Sequence, residues 1–147
     1  MDKVIGAYLC TGCGIGDALD IDALKSVASE AGMEMQDHSC LCGAEGRALI
    51  EKDMADNGVN TIVVCACSPR VMQKEFDFGD DTITVRGNLR EQVAWAAAPV
   101  AKEAAEGEEG EAAEATEAAE GEEAGGADEF VQEMGEDYVR MAVTLSL

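Results

Sequence analysis

The chain has 147 residues, and 10 Lys and Arg stand against 31 Asp and Glu, a formal charge of −21. That balance argues against a protein that tracks nucleic-acid phosphates, which needs a basic face. Hydrophobic residues make up 47% but aromatics only 4%, no apolar run nears the roughly 20 residues of a membrane span, and the first residues lack a secretory pattern. The expectation is a soluble cytoplasmic chain with one compact domain at most.

In chain order, KVIGAYL at 3–9 predicts a buried strand, and the loop at 10–16 precedes a helical pattern in which Leu19, Ala23, Leu24, Val27, Ala28 and Ala31 share a face. Gly32 marks the helix stop and MEMQ at 33–36 a short second strand. Residues 43–58 predict a second helix with Ala48, Leu49 and Met54 inward and Gly58 as C-cap. TIVVC at 61–65 carries β-branched residues on both faces, as a central parallel strand requires. Ser68 and Pro69 suit the cap and first turn of a short helix that includes Val71 and Met72. TITV at 82–85 predicts a fourth strand, and Asn88 with Glu91 a cap for NLREQVAWAAA.

Connections too long for hairpins make this a small parallel-sheet, three-layer α/β domain of about four βα units, spanning residues 1–98. Residues 99–128 are almost wholly Ala, Glu and Gly, with 1 basic and 11 acidic side chains, and predict a disordered, self-repelling linker. From 129 to 147, Phe130, Met134, Tyr138, Met141 and Leu145 recur at helical spacing. That C-terminal helix has an apolar stripe and little in this chain to bury it against.

The six cysteines fall in three pairs, Cys10 and Cys13, Cys40 and Cys42, Cys65 and Cys67. In a reducing compartment such pairs point to metal binding or redox chemistry rather than structural disulfides. Each pair follows a predicted strand, and parallel strands end at one sheet edge, where α/β ligand sites form. Thiols without histidine or carboxylate partners suit an iron-sulfur cluster or structural zinc, and four suffice for either. A dithiol or persulfide module is the rival, with Cys10 and Cys13 cycling and Cys13, near a helix start, as the low-pKa thiol. Within the pattern, alternation puts Cys65 and Cys67 on one side, so one of them suits simple packing. Gly12, Gly14 and Gly16 fit a tight turn better than a phosphate cradle. His38 is a solvated side chain or a neighbour of the Cys40 loop, and Asp17, Asp20 and Asp22 suit helix caps. Arg70, near the third pair, either offsets the charge of a thiolate-bound cluster or is a surface arginine.

AYLCTGCGIGDALDIDAL at 7–24, LCGAEGRALIEKD at 41–53, and VVCACSPRVMQKEF at 63–76 followed by GNLREQVAW at 87–95 together resemble the N-terminal domain of the heterodisulfide reductase A-subunit family. The stretch CTGCGIGDALDIDAL is most similar to the B subunit of the quinone-interacting membrane-bound oxidoreductase, a family member. EDYVRMAVTLSL is similar to the helix that leads into a flavin domain there. The resemblance covers residues 3–98 and leaves out the acidic segment. It implies a non-catalytic electron-transfer module of a flavoprotein oxidoreductase complex in sulfur or methane metabolism, carrying a 4Fe-4S cluster. By position it implies Cys10, Cys13, Cys42 and Cys67 as ligands, with Cys40 and Cys65 spare. Many members space the first pair as C-x-C where this chain has C-x-x-C, so Cys13 is the firmer match. Implied partners are other electron-transfer subunits together with a flavin-containing domain or subunit, at the inner face of the membrane through the complex, without direct insertion. No flavin-binding G-x-G-x-x-G occurs before Leu147, so FAD is expected in a domain missing from this chain, a fragment or stand-alone version. A zinc-stabilised interaction domain is the third reading of the residues.

Overall fold

The computed structural model describes residues 2–96 and 129–147; the segment expected to be a disordered linker lies outside them. The elements are β1 (Ile5–Cys10), α1 (Ile15–Ala18), α2 (Ile21–Glu30), β2 (Met35–His38), α3 (Ala44–Asn57), β3 (Thr61–Ala66), β4 (Ile83–Asn88), a π-helical turn (Arg90–Ala94) and α4 (Glu129–Ser146). The sheet has the order β2-β1-β3-β4 and is parallel throughout, the α/β class expected.

β3 is buried at every position, because strands flank it and helices cover both of its faces. Tyr8 stands beside Val64 and faces α3, where its hydroxyl donates to Asp53 Oδ2 at 2.9 Å. Cys65 stands beside Gly87 and faces the opposite layer, where a Cβ added to Gly87 would lie 3.3 Å from Ala142 of α4. α2 shares that layer with α4, and Leu19 and Leu24 close on Gly135.

Several expectations shift. β2 begins two residues later than MEMQ because α2 ends in a Schellman motif: Gly32 has φ +78°, its N–H donates to Ser29 O, and that of Met33 donates to Ala28 O. In α3 the inward residues are Gly46 and Ile50, with Leu49 and Met54 at the margin; Ala48 is exposed. Gly58 closes it in the left-handed conformation. The helix expected after Ser68 is a series of turns, since Met72 takes a φ of 52°, which interrupts a helical run. Asn88 does cap, accepting from the Glu91 N–H at 3.2 Å, but the chain then winds into a π-helical turn.

α4 corrects the largest expectation. It is buried through Val131, Gly135, Val139, Ala142, Val143 and Ser146, while Phe130, Met141 and Leu145 are exposed. The docking face consists of small and β-branched residues, which let the helix lie close to β3 and β4. Of the large apolar residues that dominate the sequence pattern, Met134 and Tyr138 pack partly buried against the core, and the other three fall to the outer side.

Burial first, then Asp53, raises the Tyr8 hydroxyl above its usual range. Below about pH 10 native and unfolded tyrosine are both protonated; above it the unfolded chain releases a proton that the native one keeps, so stability falls with rising pH. Tyr8→Phe should cost about 1 kcal/mol near neutrality, with Asp53 still held by Gln36, and should flatten that alkaline loss. Urea unfolding of both proteins on either side of pH 10 checks it.

Candidate metal centre

Because β1, β2 and β3 run the same way, the segments that follow them meet at one sheet edge. Cys10 ends β1, Cys13 lies in the next turn, Cys40 and Cys42 follow β2, and Cys67 is the first residue past β3. Cys10, Cys13, Cys42 and Cys67, with Ile15, Ala66, Phe76 and Arg90, line one small cavity. As the side chains stand, its open volume is about 10 Å³, close to one water. The remaining two cysteines are outside it. Cys65 is fully buried beneath Gly87 and α4, on the other side of the sheet from Cys67, because the chain turns after Ala66. Cys40 is exposed, although its sulfur lies 3.8 Å from that of Cys42.

The loops are held by backbone contact. Thr11 N–H donates to His38 O at 3.0 Å, and a Cβ at Gly12 would fall 2.0 Å from Ser39 O. At Gly46 a Cβ would fall 2.4 Å from both Cys40 O and Leu41 Cα. Glycine at these positions lets one cysteine loop pass another and lets α3 abut the second loop. Cys13 itself takes a φ of 56°, a left-handed conformation that costs energy for a residue with a side chain and gathers at functional sites. Trp95 Nε1 donates to its carbonyl at 3.1 Å. His38 accepts from the Cys40 N–H through Nδ1 at 3.0 Å, and Asp20 caps α2.

Two arginines aim at the thiols. Arg86 Nη2 lies 3.2 Å from Cys67 Sγ, with its guanidinium 4.2 Å above the Phe76 ring. Arg90 Nη1 lies 3.7 Å from Cys13 Sγ, stacked at 4.6 Å on Trp95 and paired with Glu91 at 2.6 Å. Sequence reasoning singles out neither of them; Arg70, to which it points, is exposed. The missed signal is strand length: β4 runs three residues past the expected end, bringing Arg86 level with Val64 and Asn88 level with Ala66.

Burial pushes the Cys42 thiol up to about 11, and Cys40 reinforces this, followed by Cys10 and Cys67. Cys67 is raised by burial against the opposing charges of Arg86 and Arg90. The fully buried Cys65 is pushed up to about 12. Cys42 and Cys67 would therefore bind a metal with proton release. Among the described residues, no three His, Cys, Asp or Glu side chains are arranged to hold a single metal ion. A tetrahedral zinc with bonds of about 2.3 Å needs sulfurs about 3.8 Å apart; Cys40 and Cys42 have that spacing, but Cys40 lies outside the cavity. The donor set, four thiols with neither histidine nor carboxylate, suits a multi-iron cluster or a four-cysteine zinc site.

No protein-family model matches the chain. It is 34% identical over 100 residues, 62% of its length, to the A subunit of the H(2):CoB-CoM heterodisulfide,ferredoxin reductase of Methanothermobacter thermautotrophicus. It is 33% identical over 103 residues, 64% of its length, to the A subunit of the ferredoxin/F(420)H(2)-dependent CoB-CoM heterodisulfide reductase of Methanosarcina acetivorans. A protein of Archaeoglobus profundus described as like the heterodisulfide reductase A subunit is 32% identical over 102 residues, 63% of the chain. These matches span 15%, 13% and 14% of the relatives' own lengths. The chain is thus similar to a short part of heterodisulfide reductase A subunits.

The close packing at Gly46 makes a metal-independent prediction. Gly46→Ala should separate α3 from the Cys40–Leu41 backbone, lower stability by about 1–3 kcal/mol and speed alkylation of Cys42 in the metal-free protein. Peptide mass spectrometry after timed iodoacetamide treatment reads it; an unchanged Cys42 rate would mean that α3 does not hold the loop.

Proposed function

We propose that the chain is an iron-sulfur electron-transfer module, with a 4Fe-4S cluster held by Cys10, Cys13, Cys42 and Cys67. One observation carries this reading: these four thiols, from three separate loops, line a single cavity, while Cys40 and Cys65 do not. Bound there, such a cluster supplies one-electron transfer. The chain's own residues do the rest. Ile15 and Phe76, both buried, form the inner wall of the site, while Cys13 stands exposed at its outer side; the glycine-tight loops fix the sulfurs, and Arg86 and Arg90 bring positive charge to Cys67 and Cys13.

The likeness to heterodisulfide reductase A subunits supports an oxidoreductase component, whose partners would be other electron-transfer subunits together with a flavin-containing domain or subunit. FAD belongs to that flavin partner in this reading. The finer likeness to the B subunit of the quinone-interacting oxidoreductase rests on the stretch at 10–24 alone. No helix among the described residues is long and apolar enough to cross a membrane; in this reading the module is cytoplasmic and meets the membrane only through a complex.

The test is iron, acid-labile sulfide and zinc per chain, with a visible spectrum, after anaerobic reconstitution. About four irons and four sulfides are expected, lost in Cys42→Ala and kept in Cys40→Ala. Stoichiometric zinc would favour the interaction-domain reading, and no metal with a reducible Cys10 to Cys13 disulfide the dithiol one. Full iron in Cys42→Ala would overturn the ligand set.

A further inference from the structure

Arg86 is a half-buried cation that no carboxylate among the described residues pairs with. Its Nη2 reaches Cys67 Sγ at 3.2 Å, Cys67 O at 3.1 Å and Ser68 O at 3.3 Å. Its Nε is buried with no hydrogen-bond partner, and among the described residues it enters no ion pair with Asp or Glu. The carboxylate that influences it, Glu91, is already committed to Arg90 at 2.6 Å and to the Ser68 N–H at 2.7 Å. Other arginines differ: Arg47 pairs with Glu51, and Arg90 with Glu91. A poorly solvated charge left in this way destabilises the fold unless an anion compensates it. Among the described residues, the side-chain atom that Arg86 reaches by hydrogen bond is Cys67 Sγ, which faces the cavity shared by the four thiols.

We propose that Arg86 is a positioning residue for the iron-sulfur site, holding Cys67 as a thiolate ligand by hydrogen bond and charge and raising the reduction potential of the bound cluster. The proposal rests on the function proposed above. The guanidinium is fixed by stacking on Phe76 and by the two carbonyls, so it needs no rearrangement when the site gains negative charge. One-electron reduction, by dithionite in the test or by a flavin partner in the complex, adds a unit of negative charge near Arg86. Charge and hydrogen bonds to sulfur are among the factors that set cluster potentials, and both act here toward the reduced state. Arg90, neutralised by Glu91, contributes less.

The experiment uses the full chain, reconstituted anaerobically, with iron and sulfide counted before a redox titration followed by visible and electron paramagnetic resonance spectra. R86Q should keep its iron yet hold about tenfold less reduced cluster at a fixed potential, a shift of about 59 mV for a one-electron couple. R86K keeps the charge but loses the fork, and should shift the same way by less. R70Q, an exposed arginine on the same rim, should titrate as wild type. A wild-type potential in iron-replete R86Q overturns the proposal and leaves the cluster reading standing; if R86Q does not load, a wild-type potential in R86K overturns it. A wild type without iron overturns the function reading, and this proposal with it.

Discussion

The parallel pairing of β1 with β3 is the constraint on which the rest depends. Its register sets Leu9 beside Cys65, while β1 sets Cys10 beside His38 of β2, so three strands reach the same edge within a residue or two. Parallel strands cannot be joined by tight hairpins, and each returning connection is covered by helix or turn on one face. The cost is a sheet buried on both sides; the consequence is that cysteines more than 50 residues apart in the chain arrive around one cavity. Backbone contacts at Gly12 and Gly46 then lock the loops to each other and to α3, so the site is held mainly by main chain.

Electrostatics at this edge run against the protein as a whole. The chain carries −21, yet the two cations nearest the thiols are arginines braced by aromatic rings. Burial first, joined at Cys42 by the neighbouring thiols and opposed at Cys67 by the two arginines, favours the protonated forms of Cys42 and Cys67, and a general field of negative charge does nothing to ionise them. Arg86 and Arg90 bring positive charge to Cys67 and Cys13 at distances where partial burial limits screening. Glu91 ties the two halves of this arrangement together by bonding both Arg90 and the backbone next to Cys67.

α4 completes the domain from far along the sequence. It covers the Cys65 face of β3 and β4 beside α2, and the Ser146 hydroxyl lies buried against Met33. Its outer edge, with Tyr138, Met141 and Leu145, forms a groove of about 570 Å³ with Ser68, Arg86 and Glu91. The same helix therefore seals the sheet on one side and borders the arginine on the other.

What the sequence determined by itself is the local record. The strand TIVVC, the helix stop at Gly58, the Asp20 and Asn88 caps and the parallel α/β class follow from periodicity and turn chemistry, which neighbouring residues carry. That cysteines from three segments reach one sheet edge followed too, since it needs only strand direction, but not every thiol of the three pairs arrives there: Cys65 turns to the opposite layer and Cys40 stays outside the cavity. Which thiols share a cavity was carried by family resemblance, and the two-residue displacement of β2 escaped because a Schellman motif uses residues that alternate like a strand. Only the tertiary structure decided the rest. Arg86 and Arg90 reach the thiols through strand length and a π-helical turn, Cys65 and Cys67 part because the chain bends after Ala66, and α4 buries its small face rather than its large one. Each depends on what lies across a gap in space, and close approach rewards small residues that a hydrophobic pattern scores lowest.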